Sequence, residues 1–327
     1  MKNGATLFLL VVIAVVGATY PAVGGANDAS AALLGATESG VPSAMVIFPV
    51  SNGGTPDAVG MNPVVFNHLA HEEKIEDCKS CHHTGETVSC TSCHTVQGKA
   101  EGKFITLSEA MHTSKILKRG EGNTPQSCVS CHARQAQRQE CAGCHSIVKI
   151  TRDQTRCNAC HNAAGLAKED IAAGIAGNLP AEKNAEIAAQ TLQAHKNVTS
   201  LQPADGPYKV MIGGISNQYK AGMFAHRRHV ETLMERIEGD GLAATFHAKQ
   251  TSLCAACHHR SPLQGLPPRC GSCHAPQINP ASPDSLHLKA AYHLLCMGCH
   301  QGMNIPRPLD TSCATCHKEN TPLSSEK

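Results

Sequence analysis

Apolar residues in this 327-residue chain seldom hold a period for long. One stretch does. Residues 181–196 (AEKNAEIAAQTLQAHK) carry apolar side chains at helical spacing behind Pro180 and predict an amphipathic helix. Residues 230–245 (VETLMERIEGDGLAAT) also read as helical. Gly206-Pro207 breaks the chain, and the proline-rich patches 262–268 and 276–283 read as loops. Leu7 to Ala18 is an apolar run behind Lys2, short for a membrane span. With the small-x-small site Ala29-Ser30-Ala31, it predicts a secretory signal over residues 1–31, cleaved near Ala31. Gly24-Gly25-Ala26 is an upstream alternative for cleavage, and an uncleaved anchor is the competing reading.

Composition makes the weak periodicity a problem. The length suits two ordinary domains plus a connector, yet the chain has no Trp and only 3% aromatics. Something other than side chains must supply apolar bulk.

The cysteines identify it. All 18 fall in nine copies of Cys-x-x-Cys-His, with none left over. The copies are Cys78, Cys81, His82; Cys90, Cys93, His94; Cys128, Cys131, His132; Cys141, Cys144, His145; and Cys157, Cys160, His161. The rest are Cys254, Cys257, His258; Cys270, Cys273, His274; Cys296, Cys299, His300; and Cys313, Cys316, His317. This is the attachment signature of c-type haem, in which two thiols bond the vinyl groups and the adjacent histidine reaches the iron. A disulfide scaffold or a set of zinc sites has no need of a histidine after every second cysteine. The expected cofactors are therefore nine covalently attached c-type haems. The expected fold is mainly irregular with short α-helices, organised by haem and dependent on its attachment.

Haem also changes the charge. The apoprotein is formally +2. Each ferric haem adds about −1 net, from about +1 at the iron-porphyrin and about −2 from its propionates. The total falls to roughly −7 oxidised and −16 reduced. Local basic patches remain at Lys115–Arg119 and Arg227–Arg228. Nucleic acid is not an expected partner, whereas the propionate edge of another cytochrome is.

The motifs repeat as a block. Phe66-Asn67-His68-Leu69-Ala70-His71 precedes Cys78–His83, and Phe224-Ala225-His226-Arg227-Arg228-His229 precedes Cys254–His259. Three further motifs follow each, leaving the one at Cys157 outside both sets. The organisation read from this is residues 32–149 as one four-haem domain, 150–207 as a connector with an isolated haem, and 208–327 as a second four-haem domain.

These elements resemble the class III multihaem cytochromes, the cytochrome c3 and high-molecular-weight cytochrome family, over about residues 60–150 and 208–320. The resemblance implies two tetrahaem c3-like domains joined by a segment carrying one extra haem. It also implies distal iron ligands. His68 is matched to the haem at Cys78, His71 to Cys128, His83 to Cys90 and His112 to Cys141. In the second block His226 is matched to Cys254, His229 to Cys296, His259 to Cys270 and His293, in Ala-Ala-Tyr-His, to Cys313. His247, in Thr-Phe-His, is set on the Cys157 haem, with His195 and His287 as alternatives. Phe66 and Phe224 either pack on haem planes or fill ordinary core. Nine Met residues are present, but the histidines suffice as ligands.

Two imidazoles close both faces of an iron, which favours electron carriage over catalysis. The family implies a periplasmic carrier, not an enzyme. It would take electrons from hydrogenase through tetrahaem cytochrome c3 and deliver them to a transmembrane redox complex in sulfate respiration. Alternatives are a nitrite- or hydroxylamine-type oxidoreductase, which needs an open iron, and a terminal metal reductase.

Overall fold

The computed structural model describes residues 35–51, 60–75, 77–84, 86–113, 127–147, 154–196, 206–247, 250–259, 267–306, 308 and 312–320. The leader expected over residues 1–31 and the basic stretch Lys115–Arg119 lie outside them. Short helices and turns dominate. The strands form two hairpins: β1 (Ala44–Ile47) antiparallel to β2 (Val64–Asn67), and β3 (Val210–Ile212) antiparallel to β4 (Gly222–Phe224). Among the described residues no helix is long and apolar enough to cross a membrane.

The helices of the first half are α1 (His68–Glu72), α2 (Leu107–His112), α3 (Cys128–Gln135), α4 (Gln139–His145), α5 (Gln154–Cys160), α6 (Lys168–Ile175) and α7 (Ala181–Lys196). Those of the second half are α8 (His226–Glu238), α9 (Gly241–His247), α10 (Gln250–Cys257), α11 (Leu288–Gly302) and α12 (Cys313–Cys316). The motifs at Cys78, Cys90 and Cys270 open single 3₁₀ turns instead.

The amphipathic helix read at 181–196 is α7, and it covers the first hairpin. Ile187, Ala188 and Ala189 meet Ala44, Val46, Phe48, Val65 and Ala163 in one buried cluster. Burial of the larger members contributes about 1.5–3 kcal/mol each. The carboxamide of Asn184 clasps the edge of β1: Oδ1 accepts from the Val46 amide at 2.6 Å and Nδ2 donates to its carbonyl at 3.0 Å. That pairing satisfies polar backbone the two-stranded sheet leaves open. Residues 168–196, within the expected connector, are thus a layer over the first hairpin.

The helix expected over 230–245 is two helices. Gly239 ends α8, and Asp240 caps α9 by accepting the Leu242 and Ala243 amides, each at 3.0 Å. An Asp side chain competes well for these amides, so a new helix starts here.

The two halves meet where α4 crosses α11. Two glycines set the approach: a Cβ on Gly302 would lie 2.9 Å from Gly143 Cα and 3.1 Å from its nitrogen. A second tie is the ion pair from Arg138 Nη2 to Asp240 Oδ2, 3.1 Å.

Candidate haem sites

Each motif folds so that its three chemical groups share a face. The histidine amide bonds the first cysteine's carbonyl in the motifs at Cys78, Cys90, Cys157, Cys254, Cys270 and Cys313, at 2.7–2.9 Å. That single turn places residues i, i+3 and i+4 together, as two thioethers and an axial imidazole to one macrocycle require. All eighteen cysteines are free of disulfides. Among the described residues no three His, Cys, Asp or Glu side chains converge as a zinc site would need.

Four of the distal histidines sit at strand-to-helix junctions. In the first block β2 ends one residue past Phe66 and His68 opens α1; in the second β4 ends on Phe224 and His226 opens α8. His68 and His71, like His226 and His229, therefore project from one helical face. Phe66 lies with its ring centroid 4.4 Å from that of His71, and Phe224 lies 4.5 Å from His229. The phenylalanines therefore buttress imidazoles.

Opposed imidazoles test whether haem fits. Two iron–nitrogen bonds of about 2 Å and two ring radii of about 1.1 Å put ring centroids about 6 Å apart. Among the described residues nine pairs meet this spacing. In the first half they are His68 with His82 at 6.5 Å, His71 with His132 at 6.1 Å, and His83 with His94 at 6.0 Å. In the second they are His226 with His258 at 6.4 Å, His229 with His300 at 6.4 Å, His259 with His274 at 5.8 Å, and His293 with His317 at 6.2 Å. The other two are His112 with His161, 6.0 Å apart and stacked at 13°, and His145 with His247 at 5.7 Å.

The last two exchange the partners expected from the sequence, which set His112 on the Cys141 haem and His247 on the Cys157 haem. The cause is tertiary. The Cys157 motif is stitched to the first hairpin: His161 Nδ1 bonds the Asn62 carbonyl at 2.6 Å, and Asn162 Oδ1 accepts from the Val65 amide at 3.2 Å. This draws His161 to His112. Meanwhile α4, carrying the Cys141 motif, leans on the second half through Gly143. The interposed site is therefore the one at Cys141. His287 is the N-cap residue of α11, and the side chain of His195 lies outside the described residues.

The sulfurs, which stand in for haem thioethers, group the same way. The Cys128 thiol is pushed up to about 11, first by burial and then by Cys90, Cys81 and Cys160. Cys144 instead shares a hydrogen bond with Cys299 across the halves, and that contact pushes its thiol up.

Imidazole orientation is held from behind. Nδ1 donates to backbone carbonyls in His94 (Ile105, 3.0 Å), His274 (Leu286, 2.8 Å), His71 (Asn67, 2.7 Å), His112 (Ser108, 2.9 Å) and His229 (Ala225, 2.9 Å). Each such bond frees Nε2 to ligate. The Ile105 carbonyl is aimed by Lys103 and Phe104, both left-handed at φ 53° and 61°. Burial lowers the pKa of His68, His83, His132, His226, His247 and His293, favouring the neutral ligating form. Phe104 and Leu294 are apolar side chains left 70% and 58% exposed. The donor sets fit nine haems.

Known proteins agree. The class III cytochrome c family profile matches residues 49–143 and 216–317. The chain is 53% identical over 321 residues to nine-heme cytochrome c of Desulfovibrio desulfuricans, covering 97% of this chain and 98% of that protein. It is 42% identical over 288 residues to high-molecular-weight cytochrome c of Nitratidesulfovibrio vulgaris, covering 86% of this chain and 51% of that one. A solved structure of the Desulfovibrio desulfuricans nine-haem protein superposes with TM-score 0.78 at 51% identity, over 87% of this chain and 98% of the other.

Proposed function

The chain belongs to the class III cytochrome c family and is a multihaem c-type cytochrome of the electron-carrier kind, and from that premise we propose a periplasmic route for its electrons. They enter from hydrogenase through tetrahaem cytochrome c3 and leave to a transmembrane redox complex that serves sulfate respiration. The nine opposed imidazole pairs carry this reading. When bound, each haem supplies a one-electron couple.

The residues of the chain do the rest. The cysteines would fix each ring at two points. The motif histidines, His82, His94, His132, His145, His161, His258, His274, His300 and His317, would be the proximal ligands. His68, His83, His71, His247, His112, His226, His259, His229 and His293, in the same order, would be the distal ones. With both faces taken by imidazoles, substrate and water would be kept from iron, which supports carriage over nitrite- or hydroxylamine-type catalysis. Backbone carbonyls behind Nδ1 hold the rings through a change of oxidation state.

The leader, outside the described residues, is proposed to direct export, where thiols and haem are joined. The test is reduction of purified holoprotein by hydrogenase and hydrogen, followed in the haem absorption bands. Rapid reduction only after adding tetrahaem cytochrome c3 is expected. Equal rates with and without that cytochrome would refute the route.

A further inference from the structure

Two helices of seven residues, α4 and α9, each end on a histidine of the interposed site: His145 on one and His247 on the other. Their other ends are tied to each other. Arg138 is the N-cap residue of α4, Asp240 immediately precedes α9, and Nη2 to Oδ2 is 3.1 Å across 102 residues of sequence. The second carboxylate oxygen of Asp240 is occupied by the amides of Leu242 and Ala243. One carboxylate thus both starts the helix and fastens it. The arrangement is a pair of tongs, hinged at Arg138–Asp240 and closing on the imidazoles 5.7 Å apart.

We propose that Arg138 and Asp240 are positioning residues that aim His247 at the iron held by the Cys141 motif. The proposal rests on reading His145 and His247 as the axial pair of that haem. Stability is not the main effect. The side chains are 43% and 27% exposed, and an ion pair so open to water adds little to stability. Leverage is the main effect. A seven-residue helix is about 10 Å long, so a tilt of about 6° at its start moves its end by about 1 Å. Iron–nitrogen bonds tolerate far less than that. The other charge facing the guanidinium is Glu140, whose Oε2 lies 3.5 Å from Nε, and Gln135 Oε1 is 3.5 Å from Nη1. These hold the guanidinium from the α4 side while Asp240 takes the outer nitrogen. Near its far end, α9 is steadied by Phe246, whose ring meets His132 edge-on at 5.1 Å. The latch therefore controls the remaining freedom at the start of the helix.

The test uses four holoprotein variants, read by low-spin ferric resonance and by haem-resolved redox titration. His247→Met checks the ligand reading: it should move one of nine low-spin signals and raise one midpoint. Asp240→Ser keeps a helix cap but loses the ion pair. Arg138→Met loses the pair from the other side. Both should shift that same signal, with its midpoint moving in the same direction, and leave the other eight unchanged. Arg138→Lys should restore the wild-type signal. If His247→Met acts while Arg138→Met and Asp240→Ser do nothing, the latch is refuted and the ligand reading stands. Midpoints moving in opposite directions would mean the pair acts through its charge, which also overturns positioning. A silent His247→Met would remove the ligand reading itself.

Discussion

Gly302→Ala should loosen the junction of the two halves, and the size of the effect follows from the crossing of α4 and α11. The new Cβ would lie 2.9 Å from Gly143 Cα, 3.1 Å from Gly143 N and 3.2 Å from the Ala142 carbonyl carbon, against ordinary contacts of 3.4–4 Å. All three atoms belong to helical backbone, so no side chain can swing aside. The helices must part by roughly 0.5–1 Å, and overpacking of this kind costs about 1–3 kcal/mol. Ala offsets up to about 1 kcal/mol through its better helix propensity and the smaller entropy of the unfolded chain. A net loss of about 1–2 kcal/mol lowers the melting temperature by roughly 2–8 °C. The assay is thermal unfolding of oxidised holoprotein, followed by far-ultraviolet dichroism and haem absorbance together. Gly241→Ala is the control, because a Cβ there meets nothing within 4 Å at the first position of a helix. It should melt at or above wild type. If Gly302→Ala melts as high as Gly241→Ala, close packing of backbones does not hold the halves together.

Replacing His112 by Ala should perturb the Cys157 haem and spare the one at Cys141, as its ring faces His161; ligand-resolved magnetic resonance of the holoprotein distinguishes the two. Asn184→Ala should cost about 1–3 kcal/mol, because both hydrogen bonds to Val46 in the covered hairpin disappear, and the midpoint of guanidinium unfolding measures it. The Asp240 carboxyl is held below its ordinary 3.8, first by the Ala243 amide and further by Arg138. Its unfolded form therefore binds protons more readily, so its contribution is present above pH 3.8 and is lost as pH falls through the lower folded value. Acid titration of the Cys141 haem signal should show this loss in wild type and not in Asp240→Ser.

What was legible in the sequence was local. The Cys-x-x-Cys-His spacing encodes one turn, and Phe-x-His-x-x-His encodes a strand end, a helix start and two rings on one face. Both blocks realise these with the same hydrogen bonds, as in the matching carbonyls of Ile105 and Leu286 behind His94 and His274. Each of the nine distal candidates faces a motif histidine, yet two face different ones from those expected. Choosing between His161 and His145 depends on where their motifs dock. That is decided by the Asn62 carbonyl and by the Gly143–Gly302 approach, contacts across 99 and 159 residues that leave no periodic trace. Asp240 did carry a signal, an N-capping residue followed by a helix, but it lay inside a stretch read as one continuous helix. The β1 hairpin was hidden similarly, its apolar run being too short to separate from buried loop.

The exchange of partners between His112 and His247 has a consequence for biosynthesis. Motif order along the chain is not the order in which sites close. On this reading the first tetrahaem cluster is complete once residue 161 has emerged, while the haem at Cys141, attached earlier, waits a further 86 residues for its second imidazole. A nascent or truncated chain ending before α9 would carry one iron with an open face, able to bind carbon monoxide or react with peroxide. Completion of the second half is therefore also the step that passivates the first.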